Sequence, residues 1–179
     1  MTFGTSNDKV TLIQECQYSK AVTILIRGGS RTICDEAKRC LHDAICVVRN
    51  MVKNNNVVGG GGATELACSI AVAEEADKIR GVEQYAVRAF ADALEEIPLT
   101  LAENSGYNPI EYVSKLREEQ KSEDNPFIGV DANHKGSTNM HEQGIYESVM
   151  SKRQQLELAT QVVKMILKID DVIAPQEYE

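Results

Sequence analysis

The chain has 179 residues, 42% of them hydrophobic and 26% charged, with a formal net charge of −8. That length suits one well-buried domain, or one domain with part of another. The acidic balance, with no lysine/arginine cluster longer than "SKRQQ", disfavours a nucleic-acid partner, and the longest apolar run, "AVTILI" at 21–26, is too short to cross a bilayer.

The opening "MTFGTSND" has neither a basic start nor a hydrophobic stretch, so no signal peptide is expected. Five cysteines, at 16, 34, 40, 46 and 68, form no CxxC pair and read as reduced, core-leaning thiols of a cytoplasmic protein. Aromatic residues are scarce and tryptophan is absent, which leans towards packed helices.

In chain order, the β-branched, apolar segments at 10–15 and 21–26 predict two strands separated by the polar turn "CQYSK". "RGGS" breaks the chain, with Ser30 or Thr32 available as a helix cap. From Arg31 to Lys53, apolar residues at 33, 37, 40, 41, 44, 48, 51 and 52 predict an amphipathic helix with one buried stripe. A second helix is expected over 63–78, and a third over 82–103, kinked by Pro98. Gly106 stops the third, and Pro109 suits the first turn of a fourth, which fades in "REEQKSEDNP". "FIGVDANHKGS" predicts a short strand and turn. A last helix is expected over 151–167, followed by "KIDDVI", which reads equally as a terminal strand or a frayed helix end.

Four consecutive glycines at 59–62 stand in "VVGGGGATE". Glycine loses the most conformational freedom on ordering, so a run of four needs a reason. A helix N-terminus after freed backbone amides can cradle an anion. No "GK[ST]" follows, however, and no Rossmann spacing is present, so a plain joint between helices is the competing reading. Asp43 sits one step off the apolar stripe of the first long helix, a rim position from which a carboxylate can face a cleft or simply be solvated. If that helix runs to about residue 54, Asp43 lies roughly 16 Å back along it, which suits opposite ends of a long ligand. Asp131 and Glu147 lie in polar stretches, where acids either accept hydroxyl donors or keep a loop wet. His134 and His141 occupy similar stretches and match no metal-ligand spacing, so both are expected at the surface.

The blocks "AVTILIRGGSRTICDEAKRCLHDAICVVRN", "VVGGGGATE", "RAFADALEEIPLTLAENSGYNPIE", "GVDANHKGS" and "ELATQVVKMILKIDDVI" resemble, in order and spacing, the carboxy-terminal part of group II chaperonins. The resemblance runs from about residue 3 to residue 172. It implies an α+β fold, predominantly α: a chaperonin equatorial-type helical domain preceded by a small α/β intermediate-domain segment. Residues 1–54 would be the apical exit and second intermediate segment, and residues 55–179 the second equatorial segment.

The resemblance also implies roles. Asp43, in "LHDA", matches the aspartate that orients or deprotonates the attacking water. Gly60, Gly61 and Gly62 match a turn packed against the nucleotide, Asp131 the position beside adenine and ribose, and Glu147 the acid that accepts ribose hydroxyls. Lys152 belongs to the same nucleotide-side segment. Gly59 departs from the family pattern, in which a residue with a side chain precedes the three glycines.

The implied cofactors are ATP/ADP and Mg2+. The family's phosphate loop and its metal-holding "GDGT" do not occur in this sequence, so the metal ligands would come from an amino-terminal half and none is assigned here. Implied partners are other chaperonin subunits in a double ring and unfolded clients such as actin and tubulin, with no nucleic acid and no membrane. The chain alone is then expected not to hydrolyse ATP. The alternative is a non-catalytic relative that only docks on chaperonin subunits.

Overall fold

A computed structural model of the chain describes residues 11, 13–18 and 20–173. They divide into two compact units, Met1–Ile45 and Cys46–Glu179. The described structure is mostly helical, with one small antiparallel sheet.

Helix α1 (Arg31–Lys53) starts at Ser30, whose Oγ accepts from the Ile33 amide at 3.3 Å. Its hydrophobic stripe is present as expected, yet none of its residues is buried. Ahead of it the chain departs from expectation. Residues 21–26 form no strand, and Ile24 and Leu25 are exposed. Of the segment 10–15, residues 11 and 13–15 are irregular, while 10 and 12 lie outside the described residues. β-branched content makes a segment fit for a sheet, but a strand exists only as part of a hydrogen-bonded ladder, and the β1–β2 ladder among the described residues does not include these. "KIDDVI" is likewise a turn followed by irregular backbone.

The sheet forms elsewhere, between two segments too short to read as strands. Strand β1 (Val57–Gly59) pairs antiparallel with β2 (Tyr146–Ser148), in the register Val57↔Ser148, Val58↔Glu147 and Gly59↔Tyr146. The Val149 amide to Asn56 O (3.2 Å) and the Gly60 amide to Ile145 O (3.1 Å) prolong the pairing at both ends.

Helices α2 (Ala63–Ala76), α3 (Glu83–Asn104) and α4 (Pro109–Glu123) follow the predicted boundaries closely. Pro98 lies inside α3 and is buried. Gly106, at φ +84°, lets the chain leave α3, and the Tyr107 amide closes the end on Ala102 O at 3.0 Å. Pro109 opens α4, where its lacking N–H is no loss. The core gathers Leu66, Ala102, Val113, Leu116, Ile128 and Val130, with Leu99, Leu101, Tyr107 and Tyr112 packed around it. The "FIGVD" segment contributes one isolated bridge, Ile128↔Asn139, rather than a full strand.

A four-residue helix, α5 (Met140–Gln143), leads into β2, and α6 (Val149–Ile166) follows it directly. Lys152 is the one buried residue of α6, and Leu158, Val162, Val163, Met165 and Ile166 stand exposed. None of the five cysteines is in a disulfide; Cys16 and Cys40 are exposed rather than core-leaning, and the other three are partly buried.

Candidate functional site

The glycine turn between β1 and α2 is tightly enclosed. A Cβ added to Gly60 would stand 2.7 Å from Ile145 Cγ2 and 3.5 Å from Glu147 Oε1. At Gly61 (φ +63°) it would meet Met140 Sδ at 2.7 Å and Val130 O at 3.0 Å. At Gly62 (φ +75°) it would meet Pro98 Cβ at 2.9 Å. Positive φ and these approaches together account for glycine at 61 and 62. The close approach that the three glycines permit is therefore of protein atoms, and the turn is packed rather than slack. Gly59, in β1, is less confined: a Cβ there would lie 3.2 Å from Phe127 Cδ1.

Two neighbouring segments hold the turn. The Val130 amide donates to Gly61 O at 2.8 Å, which brings the "GVD" segment alongside. Thr64 Oγ1 donates to Gly59 O at 2.8 Å, tying the first turn of α2 back to β1. Beneath, the buried Gln120 donates from Nε2 to Ala63 O (3.0 Å) and Ile128 O (2.7 Å), so α4 fixes the start of α2 against the same segment.

Asp131 follows Val130 and is buried. Its Oδ2 accepts from the Gly136 amide at 2.7 Å, and its Oδ1 from Gln143 Nε2 at 2.9 Å. Burial opposes the carboxylate's charge. The hydrogen bond from Gln143, those from the Lys135 and Gly136 amides, and the nearby His134 outweigh burial and hold its pKa below the ordinary aspartate value. This carboxylate organises the 131–136 turn. Above it Tyr107 and Tyr112 stack with centroids 4.1 Å apart, and Tyr107 Oη lies 2.8 Å from His134 Nδ1. His134 and His141 are both exposed, as expected.

Glu147 projects from the centre of β2, one oxygen beside Gly60 and the other paired with Lys152 Nζ. Lys152 also donates to the buried Glu65 at 2.6 Å. Burial works against the ammonium, but hydrogen bonds to Glu147 and Glu65, with their charges, prevail and raise its pKa. Cys68 lies in the same field; burial and the Glu65 charge raise its thiol pKa against the opposing pull of Lys152, which favours the protonated thiol.

Gly60, Gly61, Gly62, Asp131, Glu147 and Lys152 thus come together around one turn in the second unit. Asp43 belongs to the first unit, exposed on α1 beside a hollow of about 580 Å³ whose lining includes Ile24, Lys38 and His42. Glu65, Gln120 and Gln143 complete the cluster, although no motif pointed to them. The acid in "GGATE" was the one available signal, since an acidic residue in a first helical turn is otherwise explained by the helix dipole. Among the described residues no group of three or more His, Cys, Asp or Glu side chains is placed to hold a metal, and no helix is long and apolar enough to cross a membrane.

The TCP-1/cpn60 chaperonin family matches residues 3–177. The chain belongs to that family. It is 44% identical to T-complex protein 1 subunit epsilon of Encephalitozoon cuniculi (strain GB-M1) over 173 residues, covering 97% of this chain and 32% of the relative. Against a thermosome subunit of Pyrococcus abyssi (strain GE5 / Orsay) the identity is 42% over 174 residues, with 97% of this chain and 32% of the relative covered. Among solved structures, the open-state monomer of a group II chaperonin from Methanococcoides burtonii superposes with a TM-score of 0.67 at 39% identity, over 86% of this chain and 38% of that one. The chain therefore spans about a third of the length of these chaperonin relatives. The resemblance read from the sequence blocks and the predominantly helical fold both stand.

Proposed function

We propose that this chain is the nucleotide-side wall of an ATP-driven, cytoplasmic protein-folding chaperonin subunit. The observation that carries the reading is the Glu147 carboxylate: it is 36% exposed, set against the glycine turn, and held by a buried lysine. A fixed, partly open carboxylate is suited to accept the two hydroxyls of a ribose, and an acid that merely kept a loop wet would need no buried partner. Residues 1–54 would then serve as the apical exit and second intermediate segment, and 55–179 as the second equatorial segment.

In this reading ATP or ADP lies along the turn of Gly60, Gly61 and Gly62, with Asp131 shaping the adenine side and Glu147 on the ribose. Lys152 belongs to the same wall. Asp43 orients water in the assembled subunit. Phosphate cradling and the magnesium ligands fall to the two thirds of the relatives' length that this chain does not span. Other subunits of a double ring and unfolded clients, actin and tubulin among them, are the partners.

Calorimetric titration of the chain with ADP and with 2′,3′-dideoxy-ADP tests the reading. ADP should bind more tightly by roughly tenfold, and Glu147→Gln should abolish that preference. Equal affinities in the wild-type chain, or no binding of either, would overturn it.

A further inference from the structure

Lys152 has the chemistry of a phosphate ligand but not the surroundings of one. Its side chain is only 10% exposed. Two of its three ammonium donors are taken, one by Glu65 Oε1 at 2.6 Å and one by Glu147 Oε2. Two carboxylates against one ammonium leave the trio with a net negative charge, which repels a phosphate rather than attracting it. Glu65 Oε2 is buried with no hydrogen-bond partner, so the trio is a costly arrangement to maintain.

The same contacts have a geometric consequence. Glu65 is in the first turn of α2, directly after the glycines, whereas Glu147 is on β2, and Lys152 is in the first turn of α6. One ammonium therefore ties the start of α2 to β2 and to α6, which follows β2 directly in the chain. Because it takes Oε2 of Glu147, the remaining oxygen, Oε1, is the one that faces Gly60, 3.5 Å from where a Cβ would stand.

We infer that Lys152 is a positioning residue, a buried clasp that locks the α2 start to β2 and turns Glu147 Oε1 towards the ligand space, and that it touches no nucleotide itself. The inference rests on the nucleotide reading for the identity of the ligand, but the clasp is measurable without one.

The clasp is tested by amide exchange on the chain, read by mass spectrometry. Lys152→Met should speed exchange roughly tenfold over residues 57–66 and 145–152 and leave 83–104 and 109–123 unchanged, with Lys152→Arg restoring protection. Should Lys152→Met not fold, Glu65→Gln, which keeps shape and one acceptor, should show the same localised pattern more weakly. Unchanged exchange in both segments, or a uniform rise throughout the second unit, would overturn the clasp. Adenosine and ADP supply the second measurement. A positioning role lowers both affinities by the same factor, roughly tenfold; a loss confined to ADP would make Lys152 a phosphate contact and overturn the inference. A wild-type chain that binds neither compound removes the nucleotide reading, and the exchange pattern alone then decides the clasp.

Discussion

Gly62 and Pro98 meet where α2 begins: a Cβ on Gly62 would stand 2.9 Å from Pro98 Cβ and 3.1 Å from its Cα. Both residues are buried, and Gly62 holds φ +75° as the residue before the helix. Gly62→Ala meets both penalties, left-handed backbone and a contact with a ring that cannot swing aside. It should destabilise the chain by roughly 1–3 kcal/mol. Urea unfolding of the variant checks this, and a midpoint equal to wild type would refute the packing account.

Gly61→Val is expected to act on the fold first. Any effect on nucleotide affinity should follow from that, because Met140 Sδ and the Val130 carbonyl already occupy the space a side chain would enter. The cost should be on the order of 3–5 kcal/mol, since a β-branched residue at positive φ adds strain to the overlap. Met140→Ala in the same chain should recover only part of the loss, because the Val130 carbonyl is backbone and stays. Full recovery in the double variant would show that the methionine alone sets the constraint.

Gln120 is the buried side chain whose Nε2 serves Ala63 O and Ile128 O. Gln120→Leu keeps the volume and removes both bonds, and should cost about 1–3 kcal/mol. The loss should be visible as a lower unfolding midpoint and as faster exchange near residue 128. An unchanged midpoint would mean that both carbonyls find other partners.

Asp131 gives the fold a defined acid response. Its folded pKa lies below the ordinary aspartate value, so the unfolded chain binds this proton first as pH falls. The stability it contributes is complete above about pH 4 and drains away as pH drops towards the depressed folded value. Asp131→Asn should therefore cost stability near pH 6, and the gap between the two proteins should narrow as pH falls below the ordinary aspartate value. Parallel midpoint-versus-pH curves for wild type and variant would exclude this role.

Asp43 is exposed on α1. In a complete subunit that includes this segment, Asp43→Ala should slow phosphate release by about 10²-fold or more while ATP affinity holds, because orienting water acts on the transition state. Equal losses in affinity and turnover would argue against water activation.

What the sequence determined by itself was the helical frame. Apolar spacing, Gly106 and Pro109 located α1 to α4 to within a few residues, because a helix satisfies its backbone locally and its signals are local too. The sequence blocks also identified the family. Strand placement was beyond it: 21–26 and "KIDDVI" carry strand-like residues yet are not strands, while the unremarkable Val57–Gly59 and Tyr146–Ser148 form the sheet. Only the tertiary structure decided what surrounds the glycines and what becomes of the charges. Lys152 and Glu65 are 87 residues apart, and Gln120 and Ala63 are 57 apart. A charged or amide side chain is solvated unless distant chain segments close over it. Whether they do depends on the packing of α2, α4, β2 and α6 together, which no local spacing encodes.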